Sequence, residues 1–198
     1  EKGVFPTFFD LLDILPGVIE ESHYSKDTQS DYVGALCTRV KSLTNGIYGS
    51  VFCAEDALSD AELFDCNVVV DLSRVGSMET KSLLMGILVM KLQEYRMCGS
   101  EMNSRLRHVT VLEEAHNLLR KTSAEQSQEG ANLQGKSVEM LANAIAEMRT
   151  YGEGFIIADQ APGLLDMSVI RNTNTKIILR LPDEEDRKLV GKSAALKE

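Results

Sequence analysis

Val109-Thr110-Val111-Leu112-Glu113-Glu114, followed by Ala115-His116, decides the fold: a strand-forming run passes straight into two adjacent acids. A strand of a parallel sheet delivers its last side chains to the carboxyl edge, where α/β folds bind their ligands. Two neighbouring carboxylates at that edge can divide two tasks. One can hold Mg²⁺, and the other can orient or deprotonate an attacking water.

Outward from this stretch, three more short apolar runs recur: Asn67-Val68-Val69-Val70-Asp71, Phe155-Ile156-Ile157-Ala158 and Lys176-Ile177-Ile178-Leu179. Their apolarity is continuous rather than alternating, which predicts strands buried on both faces of a parallel sheet. A long apolar helix, roughly Glu79 to Met97, lies between the run at 67–71 and Val109 to Leu112. A second helix carries Val138, Leu141, Ala142 and Ile145 on one face. Such alternation predicts a doubly wound α/β sheet. Residues 1 to 46 read instead as helices. Thr7 and Asp10 form a variant capping box, Val33, Leu36, Cys37, Val40 and Leu43 keep helical spacing, and Asn45-Gly46 supplies a stop. Residues 121 to 135 read as an exposed loop, and Asp183 to Asp186 open a last helix with acids in its first turn. The methionines at 85, 90, 97, 140 and 148 fall at helix packing positions and read as core filler.

Composition bounds the function. With 198 residues and 43% hydrophobic content the chain can bury a core, so wholesale disorder is excluded. A net charge of -9 gives no support to a generally nucleic-acid-coating surface. Cys37, Cys53, Cys66 and Cys98 show no metal-ligand spacing and read as thiols of a reducing compartment, which predicts a cytosolic protein. The longest strongly apolar run, Leu83 to Met90, is too short to span a bilayer, and no signal peptide opens the chain.

Gly130-Ala131-Asn132-Leu133-Gln134-Gly135-Lys136-Ser137 fits the Walker A expression letter for letter. A working phosphate loop needs a buried strand directly before it, so that backbone N–H groups, the lysine and the helix N-terminus converge on the phosphates. Here the preceding residues, 117 to 129, are polar, and the nearest strand already ends in Glu113-Glu114. Gly130, Gly135, Lys136 and Ser137 therefore read as a decoy, a solvated loop entering a helix.

The acid pair has the form of a Walker B site, and its company points to a family. Matching features are Gly46-Ile47-Tyr48-Gly49-Ser50-Val51-Phe52, the run Val68 to Ser73, the block Val109 to Leu119, Met148-Arg149-Thr150-Tyr151-Gly152, Ile156 to Pro162 and Asn174 to Leu181. In order and spacing the chain resembles the HerA/FtsK-type motor ATPases, closest to their conjugative and type IV secretion branch, over about residues 45 to 190. The resemblance implies a RecA-like, mostly parallel sheet: a P-loop NTPase core missing its first strand. Residues 1–46 would be a helical segment of the same ATPase domain, and residues 47–198 the α/β core. It implies ATP and Mg²⁺ as cofactors, with Glu113 at the metal, Glu114 as catalytic base and Gln160 as γ-phosphate sensor. Arg149, or else Arg180, would reach a neighbouring subunit's nucleotide. Implied partners are identical subunits in a hexameric ring, a DNA or DNA–protein substrate and a membrane complex at whose inner, cytoplasmic face the motor would work.

Two departures stand out. Asp159 occupies the place before the glutamine where the family has threonine, putting an extra acid near the phosphates. The family's Walker A strand and loop should precede residues 1 to 46, and by analogy that strand would lie between those at 155–158 and 176–179. The isolated chain is then expected to be nearly inactive, and a non-catalytic scaffold derived from such an ATPase is the alternative. Plainer roles exist for the other residues: a turn or helix cap for Asp71, a loop contact for Gln160, an ion pair with Glu147 or Glu153 for Arg149, and a polar contact for His116.

Overall fold

A computed structural model describes residues 6–54, 58–99, 101–121 and 130–195, the stretch 130–135 as backbone only. It is a mixed α/β protein of two compact units, Glu1–Ser59 and Asp60–Glu198.

The first unit is helical: α1 (Phe8–Glu20), α2 (Lys26–Leu43) and α3 (Gly46–Phe52). The Asp10 carboxylate accepts from both the backbone N–H and the hydroxyl of Thr7, fixing the start of α1 as the sequence predicted. The Gln29 side chain donates to the carbonyls of Glu20 and Ser22, tying α2 to the end of α1. The expected stop at Asn45-Gly46 separates α2 from α3, and Gly46 takes a left-handed φ of 58° there.

The second unit holds α4 (Asp60–Phe64), α5 (Met78–Gly99), β1 (His108–Glu113), α6 (Gly130–Met148), β2 (Glu153–Ala158), α7 (Met167–Asn172) and α8 (Glu184–Ser193). β1 and β2 run parallel in the register His108↔Glu153 to Glu113↔Ala158. Val89 and Leu92 of α5, Leu141, Ala142 and Met148 of α6 and Leu112 of β1 form one core, against which Phe155 and Ile157 pack. All of this core lies on one sheet face. On the other, Val109, Val111 and Ile156 remain about half exposed. Burial on both faces is therefore corrected to burial on one, because α5 and α6 pack into the same cluster.

The sheet is smaller than the sequence predicts. Residues 67–71 and 176–179 enter no ladder among the described residues. A run becomes a strand only when a neighbour takes its N–H and C=O groups. Val69 is instead 92% exposed and Ile177 88%. The helices follow expectation more closely, although α6 begins at Gly130, inside what the sequence predicts as loop. Met85 and Met148 are buried as predicted, whereas Met90, Met97 and Met140 are partly exposed.

At the amino end of the sheet lies a buried charge. Glu153 has no side-chain exposure, and its carboxylate accepts from Arg96 Nε at 2.9 Å, Thr110 Oγ1 at 2.7 Å and His108 Nδ1 at 2.8 Å. Arg96 also reaches Asp65 and the Phe64 carbonyl, so α4, α5 and β2 meet on one guanidinium, and β1 joins them through Glu153. Gly152, at φ 85°, lets the chain turn into β2 where any Cβ would stand 2.5 Å from the Arg105 carbonyl oxygen.

Arg96→Met should cost about 3–5 kcal/mol, because it strands a buried carboxylate. The double variant Arg96→Met/Glu153→Leu should lose less than Arg96→Met alone in denaturant unfolding; an additive double loss would show that the pair is not coupled. The Tyr95 hydroxyl, and then Arg96, hold the Asp65 carboxyl below its usual range. A depressed carboxyl adds stability that is present above its unfolded pKa and lost as pH falls through the folded value. Tyr95→Phe should therefore move the acid-unfolding midpoint upward, read by circular dichroism across pH 2 to 5.

Candidate functional site

The carboxyl edge of the sheet brings Glu113-Glu114 beside Asp159-Gln160, because β1 and β2 are parallel neighbours and Glu113 is in register with Ala158. Glu113 continues the solvent-facing side of β1, and both acids are exposed. At Glu114 the chain leaves the strand through a left-handed turn, φ 49° and ψ 48°, into a 3₁₀ turn at Ala115–Asn117. A non-glycine residue there carries strain that must be held by its surroundings.

Asp159 does much of the holding. Its side chain is 4% exposed; one oxygen accepts the backbone N–H of His116 at 2.8 Å and lies 2.9 Å from His116 Nδ1. The other accepts the Ala161 N–H at 2.9 Å. The acid expected to disturb the phosphates is thus turned away to tie the two strand ends together. A second tie lies beyond it: Lys121 donates to the Leu164 carbonyl and Asp166 to the Leu119 carbonyl, both at 2.8 Å, and Gly163 donates to Asp186 of α8. The segments that follow the two strands are therefore cross-linked, and Gln160 sits at the head of a braced loop.

Asn117 is the residue that sequence reasoning missed. Its side-chain amide donates to Glu114 Oε2 at 3.2 Å, while its own oxygen is buried with no partner. No sequence signal marks it, since an Asn after a His in a short turn is ordinary.

The other candidates separate. Gln160 is exposed, and among the described residues its side chain bonds no loop backbone. Arg149 is exposed in the turn Arg149–Tyr151, before the amino end of β2 and so at the far end of a six-residue strand from the acids, about 20 Å away. Neither predicted ion-pair partner takes it: Glu147 accepts from Gln93, and Glu153 is held by Arg96. Arg180 is exposed in an extended stretch. Asp71 accepts the Ser73 N–H at 2.8 Å, which holds its carboxyl low and gives it the turn role rather than a second carboxylate at the site.

The residues present fit a divalent cation in part. Mg²⁺ is commonly held by one or two carboxylates with water and phosphate oxygens completing the shell, and the exposed Glu113 and Glu114 are of the type to supply such ligands. Among the described residues no group of three His, Cys, Asp or Glu could hold a metal alone. The phosphate half does not fit. Gly130 to Ser137 are already helical, so their backbone N–H groups form no cradle, and Lys136 lines a groove with Gln93, Glu139 and Glu147. No helix among the described residues is long and apolar enough to cross a membrane. Comparison of the chain with protein-family models, with curated proteins and with solved structures finds no match.

Glycine accepts the left-handed turn freely and alanine does not. Glu114→Gly should therefore be about 1 kcal/mol more stable than Glu114→Ala in urea unfolding. Equal stability of the two would show that position 114 carries no backbone strain.

Proposed function

We propose that this chain carries the Walker B and sensor half of an ATP site in a ring-forming motor of the HerA/FtsK type, moving DNA or a DNA–protein substrate. One observation carries the reading: two exposed acids close a strand whose parallel neighbour is followed, two residues on, by an exposed glutamine, with the strand ends tied together by Asp159. The RecA-like architecture belongs to the same proposal. It is supported by the parallel pairing and by the extended, exposed run 176–179, which has the character of a strand without its neighbour.

Each residue has a task suited to its chemistry. Glu113 contributes a carboxylate to Mg²⁺, which when bound neutralises phosphate charge. Glu114 accepts a hydrogen bond from the attacking water, orients it and takes its proton. Gln160 holds that water, or the γ-phosphate, through its unengaged amide. Arg149, about one strand length from its own acids, suits a role across a subunit boundary rather than within one. ATP would be cradled by residues other than the GKS segment. Identical subunits in a hexameric ring and a membrane complex at the cytoplasmic face complete the proposal by resemblance alone.

A scaffold reading has one observation in its favour. The single segment with a Walker A spelling is helical, so it forms no strand-anchored phosphate loop. On that reading the acids are a solvated strand end and the domain binds a partner.

Turnover separates the two. In the gene product as the cell makes it, Glu114→Gln should lower ATP hydrolysis by roughly 10²- to 10⁴-fold with nucleotide affinity nearly unchanged, as loss of a general base does. Lys136→Ala should leave turnover within about twofold. Hydrolysis abolished by Lys136→Ala and indifferent to Glu114→Gln would overturn the proposal, and no hydrolysis in the unaltered protein would favour the scaffold.

A further inference from the structure

At the end of the sheet away from the acid pair, a cavity of about 140 Å³ opens beside the Glu153 network, lined by Asp65, Tyr95, Arg96, Arg107, His108 and Tyr151. Its side chains have donors to spare, and their carboxylate is spent. Both Asp65 oxygens are taken, one by Arg96 Nη1 and the other by the Tyr95 hydroxyl, each at 2.6 Å. Arg96, its side chain 8% exposed, bonds Glu153, Asp65 and the Phe64 carbonyl through three of its five N–H groups. The Arg107 side chain and the Tyr151 hydroxyl have no partner among the described residues. Neither has the exposed side chain of Arg105, two residues before Arg107.

Such a wall is complementary to a ligand made of acceptors. Of the charged residues that line it two are cationic and one anionic, in a chain of net charge -9, and Glu153 behind the wall is already bonded by Arg96, Thr110 and His108. A guanidinium with free N–H groups pairs best with a carboxylate or a phosphate. Direction decides between them. The donors come from three segments: Arg96 on α5, Arg107 before β1 and Tyr151 before β2. A carboxylate presents two oxygens in one plane, whereas a phosphoryl group presents three or four oxygens pointing apart. His108, anchored on Glu153 through Nδ1, has Nε2 left to accept the O–H of hydrogenphosphate or, once protonated, to donate to an ionised ester. Size agrees as well: a cavity of about 150 Å³ holds one benzene, so this one takes a phosphoryl group and leaves the rest of an ester outside.

We propose that this cavity binds a phosphate group, held by Arg107 and the unspent N–H groups of Arg96, with Tyr151 and His108 closing on its remaining oxygens. The site shares no residue with the acid pair and stands apart from the reading of that pair. A phosphate seated there joins α5 to the approaches of β1 and β2 from outside, as Glu153 joins them from within. Its binding therefore stabilises the end of the sheet where the register is set.

The test is a titration of inorganic phosphate into the ¹⁵N-labelled chain, against sodium chloride of equal ionic strength. Saturable shifts are expected at the amides of residues 95–99, 107–108 and 151–152, with those of 113–117 still. Arg107 is exposed and bonds Gly152 through its backbone N–H rather than its side chain, so Arg107→Ala keeps the fold. That variant should weaken binding at least about tenfold, and Tyr151→Phe about three- to tenfold. A single-stranded oligonucleotide then separates the sources of the phosphate. Binding roughly tenfold or more tighter than inorganic phosphate at the same signals assigns the cavity to a nucleic-acid phosphate, and weaker or equal binding assigns it to free phosphate or a small ester. Three results overturn the proposal: shifts that chloride reproduces, no saturable shift at these residues by about 20 mM phosphate, or an Arg107→Ala protein that binds as tightly as the unaltered one.

Discussion

The buried Glu153 carboxylate is the constraint on which the second unit depends. A charge with no exposure is tolerated only when paired and hydrogen-bonded, and Arg96, Thr110 and His108 supply that from α5 and β1. Thr110 and His108 lie two residues apart on the same face of β1, so they can meet Glu153 together in only one register. A slip of one residue would turn both away and leave the carboxylate with Arg96 alone of the three. Register, once fixed at the amino end, propagates along six paired residues to the carboxyl end, where it sets Glu113 beside Ala158. The site is thus placed by a bond network at the opposite end of the sheet.

Division of labour along the strands follows. The amino end spends its carboxylates on its own donors. At the carboxyl end Asp159 ties the loops together, while Glu113 and Gln160 are exposed and, among the described residues, without side-chain partners. Rigid support beneath unengaged side chains is the arrangement a reactive site requires, because the groups that act must be held but not consumed. The strained φ at Glu114 and the orphaned oxygen at Asn117 belong to the same place. Asn103 and Ala195 also take a positive φ, but among the described residues only this turn joins such a backbone to an unpartnered buried side-chain oxygen, and such a coincidence is where function is to be sought.

What the sequence made legible depended on distance along the chain. The Thr7–Asp10 box, the stop at Gly46 and the acidic helix opening at Asp183 to Asp186 are local signals; each appears where it was read, with Asp183 taking the cap position. The strands at 109–112 and 155–158 were legible as apolar runs. Runs 67–71 and 176–179 carry the same signal without a ladder, because apolarity reports a preference for extension and burial but not a partner. Glu153 could not be foreseen: its partners are 43, 45 and 57 residues away, and an acid opening a strand looks like a surface residue. Asp159 was read as an intruder near phosphate for a like reason, since its partner His116 lies 43 residues earlier. The acid pair itself was legible because strand, edge and carboxylates are contiguous.

The Walker A spelling shows the limit of contiguity. Eight residues satisfy the expression, yet phosphate binding is a property of backbone direction: successive N–H groups must converge on one point before the helix starts. In α6 those groups are committed to the helix from Gly130 onward, apart from the first turn, whose free donors point along the helix axis. Side chains can be spelled by sequence, but convergence of backbone donors requires a strand to fix one end of the loop, and here β1 has already spent its exit on Glu113 and Glu114. One strand end cannot present both a phosphate loop and an acid pair in the same few residues. A nucleotide site built on these acids must therefore take its phosphate cradle from a different strand than β1.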